Sequence, residues 1–121
     1  MNFELSEEQK MIQQSVERFV QENYDLTNRV KISSEDPGYS KEYWGSMADL
    51  GWLGLAFDEE DGGFGGNQID TLVLMEQFGK GLVLEPFLAN IVLGGGIIKR
   101  AASPAIKESI IPSLMEGKLQ I

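Results

Sequence analysis

Apolar residues recur at helical spacing along most of this 121-residue chain. In "LSEEQKMIQQSVERFVQENY", Met11, Ile12, Val16, Phe19 and Val20 form one stripe and the charged residues take the other face. Three- and four-residue spacing keeps side chains on one side of a helix. Ser6 with Gln9 three positions later is a capping box, and Glu7 and Glu8 suit the positive end of the helix. The stretch "DLTNRVKISSEDPGYS" is polar and closes on Asp36-Pro37-Gly38, a turn signal. Ser40 then predicts the cap of a second helix, packed through Tyr43, Trp44, Met47, Ala48 and Leu50 and stopped by a left-handed Gly51. A third helix is predicted from about Asp70 to Phe78, ended by Gly79. It is apolar on most sides and so expected to be buried. Pro86 opens a fourth that runs to about Ile98. Ser103-Pro104 opens a fifth, carrying Ile106, Ile110, Ile111, Leu114 and Met115, which Pro112 should kink or shorten before Glu116-Gly117 ends it. "KLQI" reads as the start of a β-strand. No run elsewhere alternates apolar and polar residues for long. The expectation is an all-α bundle of about five helices around Trp44, Trp52, Leu55, Leu72, Phe78, Leu88 and Val92.

Between the second and third helices lies "GWLGLAFDEEDGGFGG". A phosphate loop needs Gly-x-x-x-x-Gly-Lys-Ser/Thr, and no lysine is near; four successive acids would repel a phosphate. The dinucleotide spacing Gly-x-Gly-x-x-Gly occurs nowhere. An EF-hand loop starting at Asp58 would place Ile69 at the twelfth position, where a bidentate Glu is required. The remaining reading is a shaped connection or a surface for something outside this chain, with the acids forming a solvated turn or a weak surface cation site. In it Trp52, Leu53, Leu55, Ala56 and Phe57 pack inward and Asp58 to Asp61 face water. Gly62, Gly63, Gly65 and Gly66 permit positive φ or close backbone approach.

The second puzzle is Gly94-Gly95-Gly96 in an apolar helix, where each glycine costs roughly 1 kcal/mol relative to alanine. Either the glycines break the helix or allow close packing, or they leave room for a ligand. Asn90, one turn earlier, is either a satisfied core amide or a polar handle in that room. Glu76 and Glu85 interrupt apolar surroundings, but no second carboxylate pairs with either in an obvious acid–base arrangement.

Composition narrows the chemistry. There is no cysteine and no histidine. Disulfides, thiolate sites and His-dependent triads are excluded. The net charge is −9, a poor match to nucleic acid or to anionic membrane surfaces. The acids concentrate before Gly62, where 14 stand against 5 bases. The N-terminus lacks a signal-peptide pattern, and the apolar run from Pro86 to Ile98 is shorter than the roughly 20 residues a bilayer requires. A soluble, cytoplasmic protein is expected.

Taken in order, "LSEEQKMIQQSVERFV", "LGWLGLAFDEEDGGFGG", "MEQFGKGLVLEPFLAN" and "IKESIIPSLMEGKLQI" resemble the N-terminal helical domain of acyl-CoA dehydrogenases. In that family the second helix runs into Gly-x-x-Gly and then Pro-Glu-Glu-x-Gly-Gly-x-Gly. Gly51 to Leu55 and Glu59 to Gly65 match, with Asp58 in place of the proline and Asp61 in place of the usual aromatic. Glu76, Gln77, Gly79, Lys80 and Gly81 echo the family's Glu-Glu-x-Gly-Arg-Gly. "GLVLEPFLANIVLGGGIIKR" is most like the small subunits of pimeloyl-CoA-dehydrogenase-like, two-subunit members.

The resemblance covers residues 1–121 and implies an FAD-dependent oxidoreductase of fatty acid metabolism acting on an acyl-CoA. It implies that the opening loop is a connection between helices. A β-barrel middle domain and a C-terminal helical domain would follow "GKLQI"; the middle domain and a neighbouring subunit would supply most flavin contacts, and the C-terminal domain the catalytic glutamate. No catalytic, cofactor-binding or metal-ligating residue is therefore carried over, and the fragment alone is expected to be inactive and to bind FAD weakly. Pro86, Ala89, Asn90, Leu93 and Gly94 correspond to the wall of the acyl-chain pocket, with Gly94 and Gly95 leaving room for its distal end. The implied partners are the acyl-CoA, the chain's own further domains or a sister subunit, in a homo- or hetero-oligomer. The competing readings are a stand-alone helical binding module and a noncatalytic subunit of a heteromeric dehydrogenase.

Overall fold

The computed structural model describes residues 2–121. All regular elements among them are helical. They fall into two compact units, one made of residues up to Gly38 together with Asn67–Leu84, the other of Tyr39–Gly66 and Glu85–Ile121.

The first unit holds α1 (Glu7–Asn23), α2 (Leu26–Ser34) and α4 (Gln68–Gly81). The capping box at the start of α1 forms as expected. The Ser6 Oγ accepts from the Gln9 N–H at 3.1 Å, and the Gln9 Oε1 accepts from the Ser6 N–H at 3.0 Å. A second box opens α4, where the Asn67 Oδ1 accepts from the Asp70 N–H at 3.0 Å and the Asp70 Oδ2 accepts from the Asn67 N–H at 2.8 Å. The two boxes are joined, because the Gln9 Nε2 donates to the Asp70 Oδ1 at 3.0 Å. Asp70→Ala removes the return bond of one box and the link to the other. It should cost about 1–2 kcal/mol, measurable as a lowered urea midpoint with unchanged slope.

Where α1 and α4 pack, Gly81 meets Val20 so closely that a β-carbon there would collide with the valine methyl. Two expectations are corrected in this unit. The helix does not stop at Gly79; it continues to Gly81 and ends at Leu82, which takes the left-handed conformation (φ 52°). The burial of α4 is one-sided. Val73, Leu74, Gln77 and Phe78 are covered, whereas Leu72, expected in the core, is 61% exposed beside exposed Ile69. Helix α2 adds to the expected elements. It is capped by the Asp25 carboxylate, which accepts from the Asn28 N–H at 2.7 Å, and held by Arg29 Nε donating to the Leu82 carbonyl at 2.8 Å.

The second unit holds α3 (Lys41–Asp49), the glycine-rich loop, a π-helical segment Leu88–Gly95 that continues as α5 (Gly96–Ala101), and α6 (Pro104–Met115). Ser40 caps α3 and Gly51 follows it with φ 82°. Ser103 caps α6, Pro112 sits inside it, and Gly117 follows at φ 71° against the Trp44 indole. The core contains Trp44, Met47, Trp52, Leu53, Phe57, Phe87, Ile91, Ile111 and Leu114. Leu88, expected in it, is 51% exposed, and Leu55 and Val92 are half-buried. "KLQI" forms no strand.

Candidate functional site

The loop from Gly54 to Gly66 folds back on itself. Phe64 N–H donates to the Gly54 carbonyl at 3.1 Å, Gly65 N–H to that of Phe57 at 2.8 Å, and Gly66 N–H to that of Leu55 at 2.7 Å. It commits these backbone donors to its own carbonyls, so they cannot serve an anion. Its acids do not all face water: Asp58 is half-buried and pairs with Lys99 at 3.1 Å, while the same lysine donates to the Ala56 carbonyl at 2.8 Å. The loop is therefore a pinned connection. Among the described residues no group of three or more His, Cys, Asp or Glu could hold a metal ion.

The five residues assigned to a pocket wall lie on the π-helical segment and the residues that lead into it. The wider register of a π-helix is uncommon and tends to mark functional positions. Ala89 and Leu93 are exposed, one turn apart; Pro86 and Gly94 differ, with Gly94 half-buried and Pro86 at the entry to the segment; Asn90 is buried. Asn90 is the satisfied amide of the two alternatives. Its Oδ1 accepts from the Ile121 N–H at 2.7 Å and its Nδ2 donates to the Leu119 carbonyl at 3.4 Å. A β-carbon on Gly94 would lie 2.9 Å from Ile121 Cγ1 and Cδ1, and one on Gly95 would lie 2.7 Å from Phe57 Cζ. The space beside these two glycines is taken by the chain's own side chains.

The two questioned glutamates separate. Glu76 is an exposed helix residue with Lys80 3.7 Å away. Glu85 is buried, and its Oε2 accepts the N–H of Ser40, the cap of α3, at 3.0 Å. In the sequence only the apolar neighbours of Glu85 hint at its burial, and nothing there points to the cap it supports.

A flavin dinucleotide would need donors for its diphosphate, commonly a helix N-terminus. Ser6, Asp25, Ser40, Asn67 and Ser103 each already accept one or two of the four free N–H groups at the starts of α1, α2, α3, α4 and α6, and the acids Glu7, Glu8, Asp25, Glu42 and Asp70 put negative charge at four of these ends, where a diphosphate would be repelled. These residues do not fit a diphosphate cradle.

Over residues 6–118 the sequence matches the family described as acyl-CoA dehydrogenase, N-terminal domain. The chain belongs to the acyl-CoA dehydrogenase family. It is similar to "Probable acyl-CoA dehydrogenase YngJ" of Bacillus subtilis (strain 168), 27% identical over 119 residues, which cover 97% of this chain and 31% of that protein. It is also 28% identical over 116 residues to the mitochondrial isovaleryl-CoA dehydrogenase of Pongo abelii, covering 94% of this chain and 27% of that protein. Its fold is shared by a chain in the crystal structure of the ChsE4-ChsE5 complex from Mycobacterium tuberculosis, with TM-score 0.90 and 22% identity over 99% of this chain and 33% of that one. The acyl-CoA dehydrogenase domain seen here thus spans about a third of the length of the relatives it matches. No helix among its described residues is long and apolar enough to cross a membrane.

Proposed function

We propose that this domain forms one wall of the acyl-chain pocket of an FAD-dependent acyl-CoA dehydrogenase, which in its complete form, a cytoplasmic enzyme, removes hydrogen from the α and β carbons of an acyl-CoA thioester. The observation that carries the reading is the face of the π-helical segment. Ala89 and Leu93 turn outward there, apolar and exposed, while Asn90, Ile91 and Gly95 anchor the opposite side. An apolar acyl chain laid against Ala89 and Leu93 would bury them without disturbing the anchors. Pro86 fixes the start of the segment, and Asn90 and Gly94 set its depth from behind. The flavin carries the hydride chemistry when bound. This domain supplies positioning and exclusion of water.

The test uses the full-length enzyme, with Ala89→Leu and Leu93→Ala assayed across an acyl-length series. Because both side chains are exposed, stability should stay within about 0.5 kcal/mol of wild type. The ratio of kcat/KM for long against short acyl groups should fall about 10-fold in Ala89→Leu and move the opposite way in Leu93→Ala. Equal effects at every length would remove these residues from the acyl wall.

A second reading is a noncatalytic subunit that completes a sister chain's pocket. The likeness in fold to a chain of a two-component complex supports it. The same two variants separate the readings once the chain is purified alone and with its sister: activity only in the mixture favours the second.

A further inference from the structure

Asn90 is 2% exposed, and both ends of its amide are committed to one short stretch of chain. The Leu119 carbonyl and the Ile121 N–H flank Gln120, and in an extended chain these two groups point the same way, toward the place a neighbouring strand would occupy. A primary amide carries an acceptor and a donor side by side. The Asn90 side chain therefore substitutes for that strand, with 2.7 Å to the Ile121 N–H and 3.4 Å to the Leu119 carbonyl.

An amide alone would accept any extended triplet. Gly94 supplies the second contact, because a β-carbon there would fall 2.9 Å from Ile121 Cγ1 and Cδ1. The isoleucine side chain, itself 54% exposed, rests with its tip against the bare backbone of Gly94. Between the two, Gln120 reaches the Tyr39 hydroxyl, which accepts from the Gln120 Nε2 at 2.7 Å.

We infer that Asn90 and Gly94 form a clamp for residues 119–121, the amide reading the backbone and the bare backbone of Gly94 reading the side chain of Ile121. Asn90 is thus a positioning residue that fixes the register of this stretch on the π-helical segment. The assignment is built from contacts within the chain and stands apart from the acyl-wall reading.

Amide hydrogen exchange of the Ile121 N–H in the full-length protein tests it, with the slow amides of α6 as internal reference. Asn90→Leu keeps the volume and removes both bonds; exchange at Ile121 should rise about 10-fold. Asn90→Asp keeps the acceptor for Ile121, and its exchange should stay closer to wild type than in the leucine variant. A purely space-filling Asn90 would give the reverse order, since leucine fills the site and the carboxylate puts a charge into it. A rise of less than about 3-fold in Asn90→Leu, or faster exchange in the aspartate variant than in the leucine variant, overturns the clamp. Gly94→Ala provides the check if either substitution at Asn90 prevents folding. Its β-carbon displaces the tip of the isoleucine, so exchange at Ile121 should rise by less than in Asn90→Leu, and an Ile121 amide as protected as in wild type would overturn the part of the assignment given to Gly94.

Discussion

Replacing Gly63 by alanine is expected to cost about 3 kcal/mol, lowering the melting temperature by roughly 10 °C for a chain of this size. The reason lies in what a β-carbon at this position would strike. It would run into the carbonyl of Phe57, which is backbone and cannot rotate aside. That carbonyl already accepts the Gly65 N–H at 2.8 Å, and the Gly63 N–H itself donates to the Asp58 carbonyl at 2.9 Å. Moving either group opens the loop. Gly62→Ala is the control. Gly62 has φ 91°, so alanine there is strained, but its β-carbon would meet only the Met115 Cε at 3.4 Å. The strain of one left-handed non-glycine residue is about 1–2 kcal/mol. Thermal unfolding followed by circular dichroism should therefore rank Gly63→Ala well below Gly62→Ala. Equal midpoints for the two would mean that the loop relaxes around the added methyl and that close approach is not what holds glycine at 63.

The same loop illustrates which features can be read without coordinates. Its glycines and acids fit the spacing of neither a phosphate loop nor a calcium loop, which leaves a shaped connection or a surface for an outside partner; the self-closing hydrogen bonds support the connection. Local signals are equally legible. Ser6 and Gln9, Ser40, Gly51 and Ser103 act within four residues of themselves, and each cap or stop forms as its chemistry requires.

Features that depend on distant chain are not legible. Helix α2 has no buried residue. Its Leu26 and Val30 lie one turn apart but stay exposed, and one such pair in nine residues is too little to mark a helix by periodicity. The signal that marks it is the Asp25 cap together with Lys31 in the last turn. Leu72 and Leu88 lie on helices rich in apolar residues, where periodicity does not say which side is covered. Leu72 falls on the side of Ile69 and Glu76, opposite the Val73, Leu74, Gln77 and Phe78 that α4 buries. Asn90 has partners 29 and 31 positions away. From sequence its amide could be a handle or a core group, and only the path of residues 119–121 decides.

The run of three glycines yields the second large effect. Gly95→Ala should destabilise the fold by about 2 kcal/mol. Helix propensity and packing oppose each other here. Alanine gains roughly 1 kcal/mol over glycine in a helix. Against that, its β-carbon would sit 2.7 Å from Phe57 Cζ. The phenylalanine is 3% exposed and has little freedom to withdraw. Interiors are packed closely enough that such an overlap is felt in full, so the clash should prevail. The two contributions can be separated by shortening the opposing ring. Phe57→Leu deletes the Cζ atom and alone should cost about 1–1.5 kcal/mol. Combined with Gly95→Ala it should cost less than the sum of the single changes, with a coupling of about 1–2 kcal/mol from a double-mutant cycle in urea. If Gly95→Ala were neutral or stabilising, helix propensity would outweigh the contact with the ring. The glycine would then have to be explained by something outside this chain, as an open space kept for an acyl group would require. Additive single effects would carry the same meaning, because the ring and the added methyl would not be competing for one volume.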